Sequence, residues 1–166
     1  SLYARLGACQ ALVRLGPKAA PALPALRAAL KAEDLWLRVK AAEAIAAMGE
    51  AGAPALPKLL ERLTHGASEE DPRGMEQRFL AFAVFEKMLD EQSLVKVDKD
   101  LLRRAITAVL QNEDGRARAS LSKLYRRLPF AELEPLLPAI EEAVVTPAPS
   151  GIMFADGIRL AGLHLL

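Results

Sequence analysis

A 33-residue internal repeat constrains this chain more than any other feature. Shifted by 33 positions, residues 11–30 (ALVRLGPKAAPALPALRAAL) fall on residues 44–63 (AIAAMGEAGAPALPKLLERL) with nine of twenty positions identical. Gly16/Gly49, Pro21/Pro54 and Pro24/Pro57 are in register, and upstream Arg5 falls on Arg38 and Ala8 on Ala41. Self-similarity at this period means one small unit used repeatedly, with its apolar face buried against its neighbours.

Each copy reads as two helices, A and B. Helix A carries Leu6, Cys9, Leu12, Val13 and Leu15 in the first copy, and Val39, Ala42, Ile45, Ala46 and Met48 in the second. Spacings of three and four place these on one helix face. Gly16 and Gly49 then end helix A, because glycine takes the left-handed backbone of a helix end. Helix B opens with Pro-Ala-Leu-Pro. Two prolines three apart are tolerated in a first turn, where the N–H groups have no intrahelical acceptor. Leu23, Leu26 and Leu30 line its buried face.

Two further units are degenerate. Residues 78–89 (RFLAFAVFEKML) align with 38–49 (RVKAAEAIAAMG) at a shift of 40, with Leu89 in place of the glycine. A longer connection, 90–97, follows. Asp98 is then the expected N-cap of a helix carrying Leu101, Leu102, Ala105, Ile106, Val109 and Leu110. In the fourth unit Arg118, Leu121, Leu124, Tyr125 and Leu128 make one A helix ended by Pro129. Its B helix opens on Pro135 and Pro138, repeating Pro54 and Pro57 at a shift of 81. Ile152 to Leu166 reads as helix A of a fifth unit. The expected fold is all-α, an α-solenoid of antiparallel helix pairs. The expected organisation is one domain over 1–166, with units of about 2–33, 34–67, 72–112 and 114–146 and a partial unit at 151–166.

The unit resembles the HEAT repeat, including its bacterial HEAT-like variants. The residues that carry the resemblance are Asp34, Arg38, Val39, Ala41, Ala42, Ala44, Ile45, Gly49, Pro54, Leu56, Leu59, Leu60 and Leu63. It is closest over 4–64 and continues over 73–145, departing at Leu89 and at the Ser-Glu-Glu-Asp insertion, 68–71. The Trp, Gly and Tyr pattern of tetratricopeptide units is missing, and 33 residues leave no room for the extra helix of an armadillo unit. The resemblance implies an armadillo-like helical arc with A helices outside and B helices on the concave face. It implies no reaction. It also brings two alternatives to protein binding: nucleic-acid contact, as in HEAT-like DNA-repair glycosylases, and lyase chemistry, as in HEAT-like enzymes that attach bilin pigments.

Charge narrows the function classes. The 22 basic and 21 acidic residues leave a net charge of +1, whereas a general nucleic-acid binder shows a stronger positive balance. Residues 99–127 nevertheless hold eight basic residues against three acidic ones. Cys9 is the only cysteine, so no disulfide closes within the chain. No apolar run reaches the length of a membrane span. The chain opens on Ser1 and ends in an apolar run, which reads as a fragment of a longer protein. The compartment stays open, with a soluble, cytoplasmic setting favoured.

No catalytic or metal-ligating residues are assigned, and no cofactor. His65 and His164 are far apart, and Ser68, close to His65, lies on a connection expected to be solvated, as do Glu69, Glu70 and Asp71. Gly151, Gly157 and Gly162 lack the spacing of a phosphate loop and follow no strand. Arg5, Arg38, Arg78 and Arg118 recur near the starts of the A helices. They read as a structural ladder in which each bonds an acidic or carbonyl group of the preceding turn, and Asp34 before Arg38 and Asp114 before Arg118 fit that. Trp36 reads as buried packing in the turn before the second A helix.

The expected function is therefore non-catalytic protein–protein interaction or scaffolding. The best surface for it is the exposed edge of the B helices. One stripe holds Ala25, Lys58, Arg104 and Ala139; its neighbour holds Ala28, Glu61, Thr107 and Glu142. Of these, Lys58, Glu61, Arg104, Thr107 and Glu142 are the candidate partner-binding residues. The nucleic-acid alternative would use Arg103, Arg104, Arg116, Arg118, Arg126 and Arg127 on phosphates. Self-association is expected to go no further than a weak dimer through the C-terminal edge.

Overall fold

The computed structural model describes residues 1–146 and Leu163, and every regular element within them is helical. In chain order these are α1 (Leu2–Leu15), a 3-10 segment (Gly16–Ala22), α2 (Leu23–Ala29), α3 (Leu35–Ala47), a 3-10 segment (Gly49–Ala55) and α4 (Leu56–Leu63). Then follow α5 (Met75–Ala81), a π-helix (Phe82–Met88), α6 (Glu91–Lys96), α7 (Lys99–Leu110), α8 (Gly115–Ala119) and α9 (Ser122–Tyr125). The last elements are α10 (Phe130–Leu133), a 3-10 turn (Glu134–Leu136) and α11 (Leu137–Val145). The expected fifth unit lies outside the described residues.

The repeat's punctuation folds as its chemistry requires. Gly16 and Gly49 have φ of 57° and 61°, which side-chain-bearing residues adopt at a cost. Pro24 and Pro57 sit in the opening positions of α2 and α4. Pro21 and Pro54 do not share that first turn. They lie inside the preceding 3-10 segments, which replace the simple turn expected between A and B helices. A 3-10 segment accepts proline's fixed φ as readily as a helix start does. Asp34 and Asp98 cap α3 and α7, accepting from the Leu37 and Leu101 amides at 2.8 Å.

The degenerate units deviate where their residues do. Leu89 cannot take the glycine's positive φ cheaply. Instead the A helix of unit three widens into the π-helix, whose last bond runs from the Leu89 amide to the Val84 carbonyl, five residues back. Leu89 then goes extended, at φ −83° and ψ 97°. The connection 90–97 contains α6, capped by Asp90 on the Ser93 amide. The A helix of unit four is broken into α8 and α9. Ser120 and Ser122 at the break donate to the Arg116 and Ala119 carbonyls, competing with the helical bonds there.

Packing runs in two rows. Helix α1 packs on α3, α3 on α5 and α5 on α8, while α4 packs on α7 and α7 on α11. Helix α3, with neighbours on both sides, buries Leu37, Val39, Ala41, Ala42, Ala44, Ile45 and Ala46. Its partner α4 buries Leu56, Leu59, Leu60 and Leu63. From α1 only Cys9 is buried, and Leu15, expected in the core, is 52% exposed. Trp36 is also outside the core. It belongs to the first turn of α3, is 46% exposed, and meets Phe79 edge-on at 5.6 Å between ring centroids.

Candidate functional site

Two surfaces and one buried network define the candidate site. The first surface is the solvent side of the B helices. Lys58 and Glu61, one turn apart on α4, form an ion pair of 2.7 Å. The Lys58 ammonium holds the Glu61 carboxyl below the usual carboxylate range. On α7 Arg104 is exposed and Thr107 half-buried; on α11 Glu142 is exposed. Among the described residues, Arg104 and Glu142 have no ion-pair partner.

The basic residues of 103–127 divide by what they bond. Arg103 lies 3.4 Å from both Asp100 and Glu132, and Arg116 grips Asp114 with two bonds of 3.0 and 2.8 Å. Arg127 donates to the Leu89 carbonyl at 2.5 Å. Arg118 is buried and donates to the Asn112 carbonyl at 2.6 Å, so it presents no free fork at the surface. Arg104 and Arg126 alone of the six are exposed and, among the described residues, unpaired.

The recurrent arginines differ from one another in a way the sequence does not announce. Arg38 donates to the Ala32 and Glu33 carbonyls of the preceding turn, at 2.8 and 2.6 Å. Arg118 makes the corresponding bond to Asn112, six residues back. Asp34 and Asp114 are not their partners; both cap helices instead. Arg38 also reaches forward, placing Nε and Nη2 on one Glu76 oxygen at 2.9 and 2.7 Å, while Arg62 takes the other oxygen at 2.5 Å. Arg78, in the same register, makes no such carbonyl bond. The equivalent offset falls on Pro72, directly after the insertion. Its oxygen partner is Asp114 at 3.5 Å, and its guanidinium lies 4.7 Å over the Phe79 ring.

The backbone ahead of α5 also differs from that ahead of α3. Residue 74, which precedes α5, is a glycine at φ 58° and has no side chain to cap with. Asp71 does the capping from three residues earlier, accepting from the Met75 and Glu76 amides at 2.8 and 2.9 Å. Asp71 is therefore buried, not solvated with Glu69 and Glu70 as expected. Ser68 is part of the same turn, accepting from the Asp71 amide.

A buried polar network lies beneath. Gln77 donates to the Leu63 carbonyl at 2.8 Å and accepts from Asn112 at 2.8 Å. Asn112 also donates to the Gly74 carbonyl and accepts from the Asp114 amide at 2.8 Å. Sequence reasoning missed both residues, although a signal exists: at the shift of 40, Gln77 falls on Leu37, a core position.

Above this network opens the second surface, a cleft of about 680 Å³. It is lined by Gln77 and Asn112, by Arg73, Arg78 and Arg116, and by the apolar Met75 and Ala108. The C-terminal ends of α4 and α7 border it through Thr64 and Gln111.

No group of three His, Cys, Asp or Glu side chains that could hold a metal ion occurs among the described residues. His65 Nδ1 lies 3.1 Å from the Glu61 carbonyl, and its ring is exposed. His164, Gly151, Gly157 and Gly162 lie outside the described residues. No helix among the described residues is long and apolar enough to cross a membrane.

These features define a chain that is all-helical among the described residues. Residues 1–73 match the family model of HEAT repeats. Searches of curated proteins and of solved structures found no match.

Proposed function

We propose that this chain is a non-catalytic protein-interaction module in which HEAT-like pairs continue beyond residue 73 as an α-solenoid. Its units are about 2–33, 34–67, 72–112 and 114–146, within one domain. HEAT repeats generally mediate protein interactions, which favours this class over the lyase alternative. The observation that carries the reading is the solvent side of the B helices, where Lys58, Glu61, Arg104, Thr107 and Glu142 stand clear of the core on three separate helices. A partner laid across them would contact several units at once. The nucleic-acid alternative has less support, since Arg103, Arg116, Arg118 and Arg127 already have protein partners.

The test is capture from lysate with the chain and its K58E/R104E double variant, at low and high salt. The reading expects proteins retained at high salt by the parent chain and lost, by about tenfold or more, from the variant. Equal capture by both would sink the stripe as the contact surface. Retention of nucleic acid alone, released by salt, would sink the protein-interaction reading itself.

A further inference from the structure

The first helix pair leaves bare a face that the second pair has covered. Spacings of four, three and four put Ala4, Ala8, Ala11 and Leu15 on one side of α1, and all four are exposed. In the 33-residue register they correspond to Leu37, Ala41, Ala44 and Met48, each at most 1% exposed. Cys9, Leu6 and Val13 lie on the other side of α1 and pack into the core. The two units share one residue pattern, so the neighbour makes the difference. Helix α3 has α1 packed against it, whereas nothing among the described residues covers the outer side of α1. On the B helix the same comparison sets exposed Arg27 in the place of buried Leu60.

Charge on this pair is one-sided. Residues 1–32 carry five basic residues and no acidic one, although the whole chain is nearly balanced. Arg5, Arg14, Lys18, Arg27 and Lys31 are all exposed, and among the described residues none has an ion-pair partner. At 3.6 residues per turn, Arg5 and Arg14 stand about a quarter turn to either side of the bare stripe. The next acidic residues along the chain, Glu33 and Asp34, lie on the connection to α3, where Asp34 serves as its cap. Glu50 belongs to the 3-10 segment of the second pair.

Shape and charge together narrow the occupant. The covered face of α3 shows that a helix fits here, since α1 is what covers it. A second copy of the chain, face to face, would set five cations against five. A membrane is held through large apolar side chains, and this stripe offers three alanines and one leucine. Nucleic-acid phosphates would meet the cations and leave the apolar stripe bare. We infer that the outer face of the first helix pair docks an amphipathic helix of a partner protein whose apolar stripe is flanked by Glu or Asp. The partner helix lies on Ala4, Ala8, Ala11 and Leu15 as α1 lies on α3, and its carboxylates meet Arg5 and Arg14. This face is separate from the Lys58 and Arg104 stripe, so each surface serves a partner without the other.

The experiment is an NMR titration of the ¹⁵N-labelled 166-residue chain, following backbone amide signals. Three probes are used: the amphipathic peptide Ac-ELAELLAELAELLA-NH2, its counterpart with Lys at every Glu, and vesicles of phosphatidylserine and phosphatidylcholine. The expected result is saturable movement of the Ala4, Ala8 and Ala11 amides with the Glu peptide. Binding should be about tenfold weaker with the Lys peptide, the loss of two or more surface charge pairs. R5E/R14E, which reverses the two flanking cations, should invert the preference between the peptides. A8R keeps the positive charge but fills the stripe, and should weaken the Glu peptide by about tenfold; attraction by charge alone would survive it. All three side chains are exposed, so none of these variants removes a buried contact. Equal binding of the two peptides, movement confined to residues outside the first pair, or variants that titrate like the parent would each overturn the inference. Loss of the Ala8 and Ala11 signals with vesicles but not with peptide would make the face a membrane contact. Movement of those signals on raising the chain's own concentration would make it a self-contact, and either result overturns the docked partner helix.

Discussion

Arg38 and Glu76 sit 38 positions apart in the chain and 2.7 Å apart in space, joining the first turn of α3 to the first turn of α5. Arg62 closes the arrangement from α4, so one carboxylate ties two consecutive helix pairs. Burial pushes the Glu76 carboxyl up, but the bonds from Arg62 and Arg38 outweigh it and hold it below the ordinary range. A carboxyl whose folded pKa is depressed stabilises the fold above its unfolded pKa, and that stabilisation is lost as pH falls through the folded value. E76Q should therefore cost about 1–3 kcal/mol at neutral pH, between the values for exposed and buried pairs. The difference between E76Q and the parent should shrink as pH falls below the ordinary glutamate range and on through the depressed folded value, where the parent's own carboxyl takes up its proton. Urea denaturation of both chains at pH 7 and pH 3 measures this, and an unchanged gap at pH 3 would sink it.

Gly49 and Gly52 lie in one 3-10 segment but should fail differently when given a side chain. At Gly49 an added Cβ meets nothing within 4 Å, so the cost of G49A comes from φ of 61° alone, about 1–2 kcal/mol. At Gly52 the Cβ would lie 2.3 Å from the Ile45 carbonyl oxygen, which requires backbone to move. G52A should be the more destabilising of the two, by thermal melting, and the reverse order would contradict this geometry.

Asn112 is satisfied on every side by Gln77, Gly74 and Asp114. N112A would strip partners from Gln77 and from the Asp114 amide, at a cost of about 2–4 kcal/mol. A double-mutant cycle with Q77A should show strong coupling, with the second substitution costing less in the background of the first. Additive costs would show that the two side chains do not act together.

Trp36 should matter less than its size implies. Because it is 46% exposed and touches Phe79 by one edge, W36A should cost about 1 kcal/mol and leave the fold intact. A chemical melt followed by circular dichroism checks this; a loss of several kcal/mol would place Trp36 in the core after all.

The first two units were legible in the sequence because their signals are local. Apolar spacing, a glycine at a helix end and prolines at a helix start each act within one turn. The cap Asp98 was legible for the same reason, whereas Asp34 was read as a partner of Arg38 and caps α3 instead. The third and fourth units were less so. Replacing the glycine by Leu89 flagged a departure, but only the folded chain shows the widened turn that accommodates it. Ser120 and Ser122 break a helix whose apolar pattern reads as continuous. The cleft could not be read at all, since its lining comes together from residues 64–78 and 108–116, far apart in the chain. Gln77 could have been found, because a glutamine aligned on Leu37 has to bond something buried.

The forward-reaching side chains bear on how the chain responds to load. Arg38 to Glu76, Lys123 to Glu86 and Arg127 to the Leu89 carbonyl each tie a helix pair to its neighbour through a few side-chain bonds. Helix pairs joined this way resist a pull applied along the row in series, not in parallel, so the weakest seam sets the yield force. Stretched from its ends, the chain should lengthen one pair at a time and recoil when released, behaving as a soft molecular spring.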